Sequence, residues 1–321
     1  MLRIGIDLGG TNIAAALVDE RLHIVDRCSV KTRAPRPVEA LVEDMAQLVR
    51  LLARRNALPM ASLGGVGVGV PCTANPENGH IEDANNLGIA DAPFLPLLER
   101  ALELPVGFAN DANAAAWGEY IAGGGREESF ALMTIGTGIG GGLILDGKLW
   151  PGINGAAAEF GHMSICMGGE PCTCGRRGCW EAYASASALR RQAMDCMARR
   201  GDTLLWELCG GDAQAVEAKI VFDAAAMGDC AAAALLDCYT TYLAEGIANL
   251  INLFQPAVFC IGGGVSHAGE RLLAPVREKT YPMVYSKNAE KNTKIVLAQL
   301  GNDAGLLGAA MLECHRRNRI L

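Results

Sequence analysis

Two stretches far apart in the chain carry the same plan. RIGIDLGGTNIAAALVD (3–19) reads as a short apolar strand, a glycine turn and a second strand. ESFALMTIGTGIGGGLILDGK (128–148) repeats that order and ends in an Asp-Gly hairpin signal. Sliding the first stretch by 127 positions lays Gly9 on Gly136, Leu17 on Ile144 and Asp19 on Asp146. Few residues coincide, so the shared plan alone carries the expectation of a duplication. At 321 residues the chain is long for one core, and a repeated half-plan points to two α/β domains.

Three strands run into glycine turns: DLGGTN, IGTGIGG and, at 257–266, AVFCIGGGVS. Glycine permits positive φ and lets successive backbone N–H groups approach an anion. One such turn could be only a tight hairpin; three of them, two carrying Thr, favour phosphate binding. Gly136, Gly138 and Gly141 also satisfy G-x-G-x-x-G, but LILDGKLW follows where a dinucleotide site needs a helix. None of the turns reaches the Gly-Lys-Ser/Thr of a P-loop.

Between the turns, RLHIVDRCSVKT (21–32) continues as an antiparallel strand, and apolar spacing over 38–55 predicts an amphipathic helix. LGGVGVGVP (63–71) is a short strand ending at Pro71, and DANAAAWGEYIAGG (111–124) a helix with a glycine stop. Residues 182–251 read as mostly helical, Pro256 ends a helix near Phe254, and 301–317 form a closing helix.

GFANDAN (107–113) places Asn110 and Asp111 where a strand gives way to a helix. A carboxylate there can cap the helix. It can equally act as the base that takes a proton from a hydroxyl attacking a γ-phosphate. Spacing alone leaves both readings open.

EFGHMSICMGGEPCTCGRRGCWE (159–181) contains His162, Cys172, Cys174 and Cys179 as H-x9-C-x-C-x4-C. One His and three Cys form a known tetrahedral zinc set that leaves no position for water or substrate, so the metal is expected to be structural. Cys166 is a substitute ligand in principle, although its Ile and Met neighbours suggest packing. Glu159 and Glu181 bracket the set, and a zinc-bound His keeps one ring nitrogen for another ligand. The metal would thus hold a polyol-binding surface still.

A net charge of −7 argues against a broad basic face for nucleic acid. The start of the chain has no long apolar run or small-residue cleavage site before Asp7, which predicts neither a signal peptide nor a membrane anchor. Twelve cysteines in so long a chain do not suggest a disulfide scaffold, and a reducing cytoplasm is expected.

Taken in order, DLGGTN, NDAN, TIGTGIGGG, the E-F-G-H box, CTCGRRGCWE and IGGG resemble the ROK family of sugar kinases and repressors, and within it the bacterial glucokinases. The resemblance implies an actin- and hexokinase-like (ribonuclease H-like) α/β fold with a cleft between two domains. The first would comprise 1–111 plus 302–321, and the second 112–301 with the zinc loop. It implies ATP-dependent phosphorylation of a hexose, glucose first, with Mg²⁺ on the nucleotide, a structural Zn²⁺, and a homodimer or homotetramer. Asp111 then matches the catalytic base, and Asn110, Glu159, His162 and Glu181 the sugar ligands. Asp7, Gly9, Gly10, Thr11 and Asn12 match the first phosphate loop, Gly136, Thr137 and Gly138 the second, and Gly262, Gly263 and Gly264 the adenosine side. Cys72 stands where the family usually has Gly, and Ile89 where Trp is common; both bear on which hexose, or N-acyl hexosamine, is preferred. The family's repressors carry an added N-terminal helix-turn-helix module, for which a first strand at residue 3 leaves no room.

Overall fold

The computed structural model describes residues 1–75, 78–123 and 127–318. In chain order the elements are β1 (Arg3–Leu8), β2 (Asn12–Val18), β3 (Ile24–Lys31), α1 (Val38–Arg55), β4 (Val66–Val70), β5 (Thr73–Ala74), β6 (Ile81–Ala84), β7 (Ile89–Ala92) and α2 (Phe94–Leu102). There follow β8 (Val106–Asn110), α3 (Asp111–Ala122), β9 (Phe130–Ile135), β10 (Ile139–Leu145), β11 (Lys148–Leu149), α4 (Glu181–Ala184), α5 (Ala186–Arg199) and α6 (Leu205–Leu208). The chain closes with α7 (Ala218–Ala226), α8 (Cys230–Phe254), β12 (Val258–Gly262), α9 (Glu270–Thr280), β13 (Lys294–Leu297) and α10 (Asp303–Asn318).

Two compact units result, Met1–Leu132 with Gly142–Ala158 and Gln299–Leu321, and Met133–Gly141 with Glu159–Ala298. In the first, the sheet order is β3-β2-β1-β4-β8, with β1 to β3 antiparallel and β4 and β8 parallel to β1. Alternation along β1 sends Ile4, Ile6 and Leu8 into a core shared with Leu41, Met45, Leu48 and Leu52 of α1. Those α1 residues recur every three or four positions, which is why 38–55 is helical and why one face of it is buried.

On the opposite face of the sheet, a row of glycines crosses three strands. Gly5, Gly67 and Gly107 are register partners across β1, β4 and β8. A Cβ on them would lie 1.9 Å from the Leu306 carbonyl oxygen, 1.7 Å from that of Ala309 and 2.5 Å from the Glu313 nitrogen. Here glycine supplies space rather than unusual φ, and α10 rests its backbone directly on the strands. The same device joins α10 to α3: a Cβ at Gly118 would meet the Ala304 carbonyl at 2.1 Å, and one at Gly308 that of Ala114 at 1.8 Å. That contact assigns α3 to the first unit, so the boundary does not fall at 111/112 as the sequence reading has it. Residues 319–321 of the expected first domain lie outside the described residues.

The second five-stranded sheet has the order β11-β10-β9-β12-β13, the sequence of roles seen in the first. A shift of 127 carries β1 onto β9 and β2 onto β10, limit for limit. A small antiparallel sheet, β5-β6-β7, was not anticipated. Its strands IEDA and IADA bury only their end residues, too short a pattern to register as alternation. Helix α8 ends at Phe254 before Pro256, as expected, with Gln255 in a left-handed conformation.

Gly67→Ala tests the glycine seat. Its Cβ meets backbone that cannot rotate away, so a loss of about 3 kcal/mol or more is expected in urea unfolding. Gly201→Ala, which has open space around the added carbon, should change stability by no more than about 0.5 kcal/mol.

Candidate functional site

In the first unit the carboxyl ends of β1, β4 and β8 bring Asp7, Cys72, Asn110 and Asp111 together. Asn110, not Asp111, caps α3: its Oδ1 accepts the N–H groups of Ala112 at 2.9 Å and Asn113 at 3.3 Å. Its Nδ2 donates to the Cys72 carbonyl at 3.2 Å. Asp111 is therefore released from capping, although its Oδ1 still accepts the Ala112 N–H at 2.8 Å. Gly69 makes room for this first turn, since a Cβ there would lie 3.2 Å from the Ala114 Cβ.

Both carboxylates lie above their ordinary range. Burial, and then the Asp111 charge, pushes Asp7 up to about 6, and burial raises Asp111 against the opposing Ala112 hydrogen bond. Burial and then Asp111 likewise push the Cys72 thiol up to about 12, so it is neutral and unreactive. Cys72 and Ile89 are both buried, 9% and 6% exposed, within the apolar core of this unit.

The first glycine turn sits beside Asp7. Gly9 donates its N–H to the Asn12 carbonyl at 3.0 Å, and Gly10, Thr11 and Asn12 are exposed. Neither Gly9 nor Gly10 has positive φ, contrary to the usual reason for glycine in a turn; a Cβ at Gly10 would have nothing nearer than 3.9 Å. Glycine there leaves the backbone bare and supplies no left-handed bend. Thr32, overlooked in the sequence because it looks like any strand end, is fully buried and donates its hydroxyl to the Gly9 carbonyl at 2.6 Å.

In the second unit, His162, Cys172, Cys174 and Cys179 put one ligand atom each within 4.8 Å of one another. A tetrahedron with metal bonds of about 2.3 Å has edges of roughly 3.7 Å. The Cys174–Cys179 sulfurs are 3.7 Å apart, and the Cys172 sulfur is 3.6 Å from His162 Nδ1. The residues fit zinc. Burial, then contact with Cys172 and Cys174, raises the Cys179 thiol, a crowding that a central cation reverses. Nδ1 faces the thiols, which leaves Nε2 for another partner. Cys166 is exposed rather than packed and stands outside the cluster.

Turns fix this loop locally. Gly175 returns its N–H to the Cys172 carbonyl at 3.0 Å, and Gly178 has φ +84° with the Cys166 carbonyl 1.7 Å from where a Cβ would be. The loop is anchored by Trp180, fully buried, whose indole N–H donates to the Tyr242 carbonyl at 2.7 Å. Glu181, one residue on, accepts the Ile139 N–H at 2.8 Å through Oε2. That bond ties the end of the metal loop to the second glycine turn. Glu159, before the loop, is exposed.

In that second turn Gly136 donates its N–H to the Gly138 carbonyl at 2.9 Å and accepts the Ala186 N–H at 2.9 Å. Thr137 is exposed, and a Cβ at Gly136 would meet nothing within 4 Å. In the third turn, Gly262 ends β12, and Gly263 alone adopts positive φ, +83°, against the backbone of Ile135. Gly264 faces open space.

Carboxylates at strand ends, bare glycine turns on repeated strand–turn–strand units and a closed Cys3His knot define a phosphate-handling α/β protein of the actin and hexokinase type. The sequence pattern of the ROK family matches residues 3–316, and the chain belongs to that family. It is 39% identical over 318 residues to the glucokinase of Streptomyces coelicolor, covering 97% of each chain. It is 34% identical over 319 residues to the N-acetylmannosamine kinase of Citrobacter koseri, covering 97% of this chain and 98% of that one. A solved structure of a ROK family glucokinase from Streptomyces griseus with glucose and AMPPNP superposes with a TM-score of 0.82 at 36% identity, covering 97% of this chain and 99% of that one.

Two measurements check this site. An Asp held near 6 binds more protons folded than unfolded between about pH 4 and 6, so stability falls as pH rises through that window. Asp7→Asn should therefore unfold later than the parent at pH 7.5, by up to about 3 kcal/mol, with the gain vanishing below about pH 4. Metal analysis of freshly purified protein should find about one zinc per chain. Stripping it should speed hydrogen exchange at the Ile139 amide, because Glu181 loses its anchor.

Proposed function

We infer that this protein is an ATP-dependent hexose kinase, a glucokinase that moves the γ-phosphoryl group of ATP to the 6-hydroxyl of glucose. The observation that carries the reaction is Asp111: excused from capping by Asn110, half-buried, and made more basic by its surroundings. It takes the proton of the sugar hydroxyl as that oxygen bonds to the γ-phosphorus; the bond to the β-phosphate oxygen breaks and ADP leaves. Asn110, Glu159, His162 through Nε2, and Glu181 hold the sugar's hydroxyls, with Glu181 keeping one oxygen on Ile139. The turns at Gly9–Asn12 and Gly136–Gly138 offer backbone N–H groups to the phosphates, and Gly262–Gly264 lie on the adenosine side. Mg²⁺ on the nucleotide neutralises phosphate charge, with Asp7 the residue that would face it. The zinc is structural: four protein ligands leave it no open position.

Glucose leads because likeness to glucokinases is the greater, 39% against 34% for the N-acetylmannosamine kinase. The second reading, an N-acyl hexosamine kinase, draws support from that relative's equal coverage of the chain. All twelve cysteines are free, and no described helix is long and apolar enough to cross a membrane, in keeping with a cytoplasmic enzyme. A homodimer or homotetramer fits the reading.

The test is ADP release measured across glucose, mannose, fructose, N-acetylglucosamine and N-acetylmannosamine. The highest kcat/KM should fall on glucose, and a clear preference for an N-acyl sugar would reverse the assignment. In the same assay Asp111→Asn should lose about 10²- to 10⁴-fold in kcat with the fold intact.

A further inference from the structure

The first glycine turn has an inner side and an outer side. On the inner side, Thr32 follows β3 and makes two bonds: its N–H donates to the Thr11 carbonyl at 2.9 Å, and its hydroxyl to the Gly9 carbonyl at 2.6 Å. Its side chain is wholly shielded from solvent. On the outer side, the Gly10 and Thr11 N–H groups have no hydrogen-bond partner among the described residues, and both residues are exposed.

These two sides are mechanically linked. In a trans peptide the C=O of one residue and the N–H of the next point in opposite directions across a rigid plane. A hydroxyl that pulls the Gly9 carbonyl inward therefore turns the Gly10 N–H outward. Gly9 and Gly10 lack side chains to resist rotation of that plane, so something else must hold it.

The second turn makes the comparison internally. Gly136 occupies the place of Gly9 after the shift of 127, and its carbonyl is also held from within, by the Ala186 N–H at 2.9 Å at the start of α5. The next N–H, that of exposed Thr137, is likewise without a partner among the described residues. Two turns of one plan thus fix the same peptide plane with different donors.

We propose that Thr32 is a positioning residue for phosphoryl transfer: its hydroxyl, by holding the Gly9 carbonyl, aims the Gly10 N–H at a phosphate of the bound nucleotide. The inference rests on reading the Gly9–Asn12 turn as a phosphate loop. Without the hydroxyl the plane between Gly9 and Gly10 rotates among orientations, and a donor must be ordered at the expense of binding energy. The deficit belongs to phosphate binding and spares both the adenine side and the sugar.

The experiment measures affinity for a non-hydrolysable ATP analogue with Mg²⁺, for adenosine and for glucose, by calorimetry on the full chain. Thr32→Val keeps the shape and removes the hydroxyl; Thr32→Ser and Thr32→Ala differ from one another by the hydroxyl alone, so that pair decides if the valine variant folds poorly. Removal should weaken the ATP analogue roughly three- to thirtyfold, leaving adenosine and glucose within about twofold. Serine should restore binding to near the parent. Equal analogue affinity for Thr32→Ala and Thr32→Ser would overturn the proposal. So would a parallel loss for adenosine and glucose, which marks a general loss of structure. A parent protein that binds glucose but no ATP analogue would instead overturn the phosphate-loop reading, and the proposal with it.

Discussion

The contact between the α10 backbone and the glycines of β1, β4 and β8 sets the geometry on which the first unit depends. A helix packed through side chains normally lies about 10 Å from its neighbour; a helix seated on glycine comes closer and cannot slide without clashing. Because side chains alternate, the next residues on this face are Asp7, Gly69 and Ala109, again register partners. The level of α10 over Gly5, Gly67 and Gly107 therefore fixes the level of Asp7 two residues on. The N-terminal turn of the same helix reaches it: a Cβ at Gly305 would lie 3.9 Å from an Asp7 carboxylate oxygen. Desolvation of Asp7 follows from this close seating, and the nearby Asp111 charge adds to the rise in its pKa.

The metal loop solves the opposite problem. Between Met163 and Arg177 none of its residues is buried, so hydrophobic burial cannot order it. A Cys3His zinc site contributes on the order of 10 kcal/mol, enough to offset much of the lost chain entropy. Its apolar support comes only at the end, where Trp180 enters space that Gly246 leaves open; a Cβ at Gly246 would be 2.1 Å from the indole. Order then passes outward along the chain from Cys179 through Trp180 to Glu181, and from Glu181 to the amide of Ile139. A cation held by these four ligands would thus lend rigidity to a glycine turn that it does not touch.

Local features were legible in the sequence. Helix α1 runs from Val38 to Arg55 as its spacing predicts, and the metal quartet stood out because thiols rarely crowd so densely without cause. The glycine seat was not legible. VGVGV reads as an apolar strand, and nothing in it reveals that Gly67 answers a helix more than two hundred residues away while Gly69 answers the first turn of α3. The division at α3 was missed for the same reason, since Gly118 and Gly308 state a contact only once both helices exist. Asn110 and Asp111 were found as a pair, but which one caps and which stays available depends on where each side chain reaches. Thr32 carried no signal, because a threonine ending a strand is common and its partner is a backbone atom.

The two glycine turns at Gly9 and Gly136 show what such hidden positions have in common. In each, a bare glycine end leaves one peptide plane free to rotate, and in each the inward carbonyl is taken, by a side-chain hydroxyl at Gly9 and by a helix N-terminal amide at Gly136. A shared residue inherited from one ancestral half would have placed the same donor in both. Different donors meeting the same carbonyl indicate that the direction of the following N–H is the requirement, and that any donor able to reach from the interior suffices. Glycine makes the approach of a phosphate possible, and by the same lack of a side chain it leaves the orientation of the amide to the residues behind it.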